Sequence, residues 1–362
     1  MRHSNEFSAH DLNIFVRAQR NTFFSKSDSS LPLSRKNQTV MLSIDREGIQ
    51  RVFREFCGAI PRSITRFSPS SLHRVYRVAS KTGAYIIRIW DGQNKTPPIH
   101  FFTESRIISR LAYRHIPVVS LSTIDTSRKL APFAFQILEE AEGTLLYIAA
   151  QKKKNFFIVH RNLGTVVAAI HSLHLEGYGR LMPDPMSGKN VRGCMKSWQS
   201  FLLTQLDNHI AYCRAKKFLT RSDAENVSKI LKQGIGGLSM QSSQLLHGDL
   251  AHHNLFSDNK RITGIIDWED ALAGDPVYDI AYWGTGSFGN EAWLESFLEG
   301  YMSVRPLPRD FLLRYWVYYL RIALAKTVAR HRFGLDDPPS RGIHFSDRIL
   351  HGLTQIHSVF KI

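Results

Sequence analysis

"LLHGDLAHHNLF" occupies Leu245–Phe256, and "ITGIIDWED" follows at Ile262–Asp270. Asp249 stands behind an apolar lead-in and a His-Gly pair, and Asn254 comes five residues later. Leu255–Phe256 and Ile262–Ile266 have the β-rich character of strands, and Ser257–Lys260 that of a turn, which together predict a hairpin. Such a hairpin sets Asn254 roughly opposite Asp267, with Asp249 just upstream on the same side. One short stretch then gathers two carboxylates and an amide oxygen. Hard oxygen ligands of this kind suit Mg²⁺, which takes one or two carboxylates and leaves room for substrate phosphates. The remaining aspartate is free to orient a hydroxyl nucleophile, and phosphoryl transfer asks for that division of labour. Each of these residues alone also reads as a common turn residue; the joint spacing carries the chemistry.

Upstream, "SITRF", "RVYRVAS" and "AYIIRIW" are β-rich, with "KTG" (Lys81–Gly83) as a turn between the last two. A helix is predicted from about Thr103 to Tyr113, and "IPVVSLSTID" and "FAFQILEE" read as two more strands. From about Phe156 the chain turns mostly helical, with Leu163, Val166, Val167 and Ile170 on one face. Strands first and helices later argue an α+β protein with two lobes. Arg88 interrupts the apolar strand "AYIIRIW", where an unpaired charge would be costly. Glu104 shares a helix face with Ile107, Ile108 and Leu111, so it projects toward the core. The two are expected to form an ion pair; the alternative puts Arg88 on an edge strand reaching water.

The rest of the composition is that of an ordinary globular chain: 43% of the 362 residues are hydrophobic and 22% charged. The most apolar run, "FLLRYWVYYLRIALAKTVARH", carries Arg314 and Arg321 and reads as a buried amphipathic helix instead of a membrane span. The net charge of +16 is scattered over the chain, and runs such as "QKKKN" and "RAKKF" are short and lack interleaved aromatics. A solvated basic surface explains them better than a nucleic-acid partner. Cys57, Cys194 and Cys213 show no metal-ligand spacing, and with no secretory signal at the N-terminus they suggest a reduced, cytoplasmic chain. Residues 1–40 are polar and are expected to be a disordered or loosely attached leader, with Met41 as a possible start. Ser43 is placed to cap a helix whose apolar face is Ile49, Val52, Phe53 and Phe56.

The order of these parts resembles the protein kinases. The wording is similar to the aminoglycoside phosphotransferase (choline kinase-like) family of small-molecule kinases: "LLHGDLAHHNLF", "ITGIIDWEDALAGDPVYDIAYW" and "LGTVVAAIHSLHLEGYGRL" each resemble that family's phrases, over roughly residues 60 to 330. The resemblance implies a protein kinase-like fold. It has a small N-terminal lobe (41–140) of antiparallel sheet with one helix, and a larger, mainly helical C-terminal lobe (141–362). It implies ATP- and Mg²⁺-dependent transfer of a γ-phosphoryl group to a hydroxyl of an antibiotic, sugar or metabolite alcohol; the alternative is a catalytically weak, nucleotide-binding scaffold. Asp249 would be the catalytic base or the residue that positions the hydroxyl, and Asn254 and Asp267 would hold Mg²⁺. Arg88 would replace the usual lysine on the phosphates, held by Glu104. Gln136–Ala141 would be the adenine-binding hinge, with Glu139 and Ala141 as backbone contacts. Asp279 would brace the catalytic loop and His247 would shape it. The segment "FSPSSLHRVY" departs from the kinase pattern in lacking glycine; Ser68, Ser70 and Ser71 are offered as phosphate-loop donors instead, while Pro69 removes one donor. The lack of D-F-G and A-P-E argues against a protein kinase.

The acceptor is less legible. Residues 183–240 hold nine Lys/Arg and four Asp/Glu, which does not make the acidic cleft a polycationic acceptor needs, so a neutral or anionic hydroxyl compound is favoured. Glu142, Glu269 and Asp270 are candidates for local acid near the site, and Trp198 is a candidate for stacking on substrate, with packing as the favoured reading for the tryptophan. His252 and His253 read as solvent-facing loop residues without zinc-site partners. The oligomeric state is left open.

Overall fold

The computed structural model describes residues 43–67, 74–90, 99–146, 148, 156–184, 190–334 and 344–360. The leader, Met41, Ser68, Ser70 and Ser71 lie outside the described residues. Helix α1 (Ser43–Cys57) opens the N-terminal lobe. Strands β1 (Ser63–Arg66), β2 (Arg74–Ala79) and β3 (Ala84–Trp90) follow, then α2 (Ile99–Tyr113), β4 (Leu121–Asp125) and β5 (Ala134–Glu139). The five strands form an antiparallel sheet in the order β1-β2-β3-β5-β4. Arg88 therefore sits in the middle strand, opposite Val75 on one side and Gln136 on the other, and the edge-strand alternative is excluded. Ile49, Val52 and Phe53 of α1 pack against Tyr76, Ile87 and Ile89 in a small core of their own, each such side chain contributing about 1.5–3 kcal/mol. Asp45 fastens α1 to β2 through a two-pronged ion pair with Arg74 at 2.7 and 3.0 Å and a bond from the Tyr76 hydroxyl.

Beyond β6 (Thr144–Leu145) lies α3 (Phe156–Ile170), then β7 (His174–Leu175), β8 (Tyr178–Pro183) and β9 (Val191–Met195). Helices α4 (Trp198–Leu203), α5 (Leu206–Ala215) and α6 (Arg221–Gly236) come next. Thr220 and Asp223 close a capping box at the start of α6. Strand β10 (Ser243–Leu246) leads into the loop quoted above; β11 (Leu255–Ser257) and β12 (Ile262–Ile265) make the hairpin, and β13 (Leu272–Gly274) pairs back on β10. Helices α7 (Pro276–Gly286), α8 (Glu291–Met302), α9 (Phe311–Arg332) and α10 (Asp347–Phe360) complete the C-terminal lobe. "GDP" starts α7: Asp275 is its N-cap, accepting from Val277 N at 3.0 Å, and Pro276 sits in the first turn, where no N–H is missed.

The large core is not confined to this lobe. Ile107, Ile108 and Leu111 of α2 and Leu138 of β5 belong to the same buried cluster as α3, α7 and α9. Pro117 O accepts from Ile265 N at 2.9 Å, and Val118 bridges Ile265 in parallel, so the sheet lobe is strapped to the hairpin. As read from the sequence, α9 is largely buried, with Arg321 satisfied by the carbonyls of Leu202 and Thr204, each at 2.7 Å. Among the described residues no helix is long and apolar enough to cross a membrane.

Candidate active site

The catalytic-loop candidate is held by its backbone. Asp279 of α7 is buried, and its carboxylate accepts from His247 N at 2.7 Å and Gly248 N at 3.0 Å, with His171 Nε2 at 3.2 Å. Gly248 has φ of 81°, and a Cβ there would lie 2.0 Å from Asp270 O, so only glycine turns the chain here. His247 donates from Nε2 to Ile266 O at 2.9 Å, and its Nδ1 accepts from Asp249 N at 3.3 Å. The histidine thus joins the loop to the hairpin.

Asp249 emerges with each carboxylate oxygen engaged. Oδ2 accepts from Asn254 Nδ2 at 2.9 Å, and Oδ1 from the Tyr282 hydroxyl. His253 Nε2 lies 3.6 Å from Oδ2. Burial disfavours the charged form of Asp249, but His253, Lys326 and Tyr282 outweigh it and hold the carboxyl below the usual range. Asn254 donates a second bond to Asp249 O at 3.0 Å, and its own carbonyl accepts from Ile266 N at 3.0 Å. The hairpin therefore sets Asn254 against Ile266, and Asp267 is one residue further on, in a left-handed conformation with φ of 68°.

Arg88 reaches this loop from the sheet lobe. Its guanidinium bonds Glu104 at 2.6 Å, as expected, and also Glu269 at 2.7 Å, with Asp267 at 3.6 Å and Gln136 Oε1 at 3.4 Å. Burial opposes its charge, and the three carboxylates more than offset this. Glu104 uses its other oxygen to accept from Trp268 N at 3.1 Å, so one buried acid ties α2, β3 and the segment after Asp267 together. Asp267 is pushed up to about 7 by burial and by Glu269, Glu104 and Asp249, against the pull of Arg88.

Three expectations need correction. Trp198 is 1% exposed, stacks on Phe201 and donates from Nε1 to Tyr318 at 3.0 Å; its contacts are those of packing. Glu269 belongs to the Arg88 cluster, and Asp270 turns away to pair with Arg180 at 2.9 Å on the surface. His252 is buried between Trp283 and Trp293, at ring distances of 4.3 and 4.5 Å, with burial holding it neutral; only His253 faces solvent. The sequence reading also missed Tyr282 and Lys326. Lysine within the apolar run "IALAKTVA" was the available signal for the second, and the place of the tyrosine in "GDPVYDIAYW", three residues after Asp279, for the first.

The chain matches the phosphotransferase enzyme family over residues 63–311. A hygromycin-B 4-O-kinase of Escherichia coli is 25% identical over 183 residues, 48% of this chain and 50% of that protein. The chain thus spans about half the length of this curated relative. Among solved structures, the aminoglycoside phosphotransferase APH(4)-Ia superposes with a TM-score of 0.62 at 16% identity, covering 87% of this chain and 98% of that one. A candidate fructosamine-3-kinase of Haemophilus somnus gives 0.60 at 17%, covering 86% and 97%. These likenesses show a protein kinase-like fold. The family match spans more than half of the chain, from β1 through Asp249, Asn254 and Asp267 to the start of α9, and the chain belongs to the phosphotransferase enzyme family.

Proposed function

We propose that this chain is an ATP- and Mg²⁺-dependent O-kinase of a small molecule. The observation that carries the reading is the meeting of Asp249, Asn254 and Asp267 with a buried Arg88–Glu104 pair from the other lobe. The residues suit a divalent cation: Asp267 is crowded by Glu269, Glu104 and Asp249, with Arg88 as the near positive charge. A cation shared between Asp267, Asn254 and substrate phosphates would relieve that crowding. Mg²⁺ would supply charge neutralisation on the transferring group. Structures of APH(4)-Ia with AMP-PNP or ADP and hygromycin B support the nucleotide reading. At the hinge, Glu139 and Glu140 spend their N–H groups on Ser120 O and Ala84 O, so Ala141 is the next residue able to offer one to adenine. Gln136 Nε2 is buried beside Arg88 without a partner among the described residues, a donor left over in the cleft.

In this reading Asp249 accepts a hydrogen bond from the acceptor hydroxyl and takes its proton as the phosphoryl group transfers. Its lowered pKa keeps it ionised, and Asn254 fixes its rotamer. Asp279 holds the loop backbone through two N–H groups. Arg88 faces the phosphates, held in place by Glu104.

The test is ADP release from MgATP by purified protein across aminoglycosides, other antibiotics, sugars and amino-alcohols, with Asp249→Asn in parallel. Acceptor-dependent release that vanishes in the variant is expected. Failure to bind MgATP would sink the kinase reading.

A further inference from the structure

Beyond Asp249 the C-terminal helices bring positive charge together. Lys326 of α9 places Nζ 3.8 Å from the centroid of the Tyr282 ring, and the hydroxyl of that ring bonds Asp249. Lys326, Arg330 and Arg348 all converge on one further ring, Phe345, at 5.6, 5.3 and 4.2 Å. Like charges this close repel in a partly dry site. Among the described residues no carboxylate lies within ion-pair distance of Lys326; its neighbours are the two rings. Aromatic faces stabilise an ammonium while leaving its charge available to a ligand. Burial brings Lys326 down to about 8, Arg348 and Arg330 push the same way, and Asp249, across Tyr282, pulls against them.

We propose that the acceptor carries an anionic group, a carboxylate or a phosphate, and that Lys326 binds it one tyrosine ring away from the hydroxyl held by Asp249. The proposal rests on the kinase reading and names its substrate class. Lys326 is then a specificity residue: it completes its charge with the substrate, and it sets ammonium against ammonium when a polycationic acceptor enters. Tyr282 spaces the two subsites, its hydroxyl on the reacting side and its face under the lysine.

Matched pairs test it: glycerate against glycerol, and glucose 6-phosphate against glucose, with hygromycin B as the cationic arm. The acidic member of a used pair is expected to have at least about tenfold higher kcat/KM. Lys326→Met should abolish that preference mainly through KM, and Lys326→Arg should restore part of it. The pair that responds separates a carboxylate from a phosphate. Equal use of neutral or cationic acceptors, or a preference that survives Lys326→Met, overturns the proposal.

A second probe needs no acceptor. Pyridoxal 5′-phosphate is an anionic aldehyde; its carbonyl carbon condenses with an uncharged Nζ, water leaves, and borohydride reduces the imine to a stable amine. Peptide mapping should find Lys326 labelled at least about tenfold faster than the surface residue Lys232. Labelling no faster than Lys232 overturns the anion site. A chain that labels at Lys326 but neither binds nor uses MgATP would instead sink the kinase reading and leave the anion site standing.

Discussion

Arg88 and Lys326 approach the candidate site from opposite lobes, Arg88 at Asp267 and Lys326 on the side of Asp249, and they meet burial in opposite ways. Arg88 is enclosed by Glu104, Glu269 and Asp267, with Gln136 at its edge. Lys326 is enclosed by Tyr282 and Phe345, with no carboxylate in ion-pair range among the described residues. The first cation is matched inside the protein, so its removal exposes three acids to one another. The second is matched by rings, so its removal leaves no buried acids facing one another; it takes away affinity for what binds there and one of the groups that keep Asp249 ionised. Arg88 is thus scaffold as well as proposed phosphate contact, and Lys326 is the cation the proposed anionic acceptor would match.

Asp249 lies between the two, and its loss should show the largest effect. Asp249→Asn is expected to lower kcat by about 10²–10⁴-fold with MgATP affinity little changed, measured by steady-state kinetics beside equilibrium nucleotide binding. Survival of near-parental turnover would remove the axis on which the comparison turns. Next, Arg88→Met should cost about 3–5 kcal/mol of stability, because it leaves buried carboxylates unpaired, whereas Lys326→Met should stay within about 1 kcal/mol. Urea unfolding of both variants checks this, and similar losses would break the contrast. Trp198→Phe sharpens it from outside the site: about 1–3 kcal/mol is lost with the smaller ring and the bond to Tyr318, while KM for every acceptor is unchanged.

The smallest effect is on pH dependence. The Asp267 carboxyl in the folded chain sits above its ordinary range, at about 7, so folding favours its protonated form. Its contribution is full below about pH 4 and is lost as pH rises through about 7. In metal-free protein the Tm of Asp267→Asn should therefore gain on the parent from pH 5 to pH 8. Added Mg²⁺ should raise the parental Tm more at pH 8 than at pH 6, and should not raise that of the variant. A gap that does not move with pH would separate Asp267 from the Arg88 cluster.

Much of this contrast was legible in the sequence on one side and not on the other. An arginine inside "AYIIRIW" and a glutamate on the apolar face of α2 are each anomalous, and two local anomalies of opposite sign predict a pair. The hairpin was equally local; it sets Asn254 against Ile266, one residue short of the expected Asp267, and the shift between Phe256 and Ser257 in its register brings the two that close. Tyr282 and Lys326 reach Asp249 across 33 and 77 positions of sequence on helices whose apolar faces look like core, so only the packing of α7 against α9 brings them together. Glu269 meets Arg88, a contact that its position two residues past Asp267 did not announce. Trp198 could not be placed without the Tyr318 that satisfies its N–H.

The core shared by α2, β5 and the C-terminal helices has a thermal consequence. A two-lobed chain whose lobes hold separate cores would melt in two steps, the smaller first. Here Ile107, Ile108, Leu111 and Leu138 are integral to the larger cluster, and only the cap of α1 on β2, β3 and the Phe135–Ile137 face of β5 keeps its own. Calorimetry should record one dominant endotherm that includes α2 and β5, preceded at most by a small one from the α1 cap. Glu104, on α2, would then keep its place until the C-terminal lobe loses its order, so the acid that holds Arg88 outlasts an opening of the α1 cap.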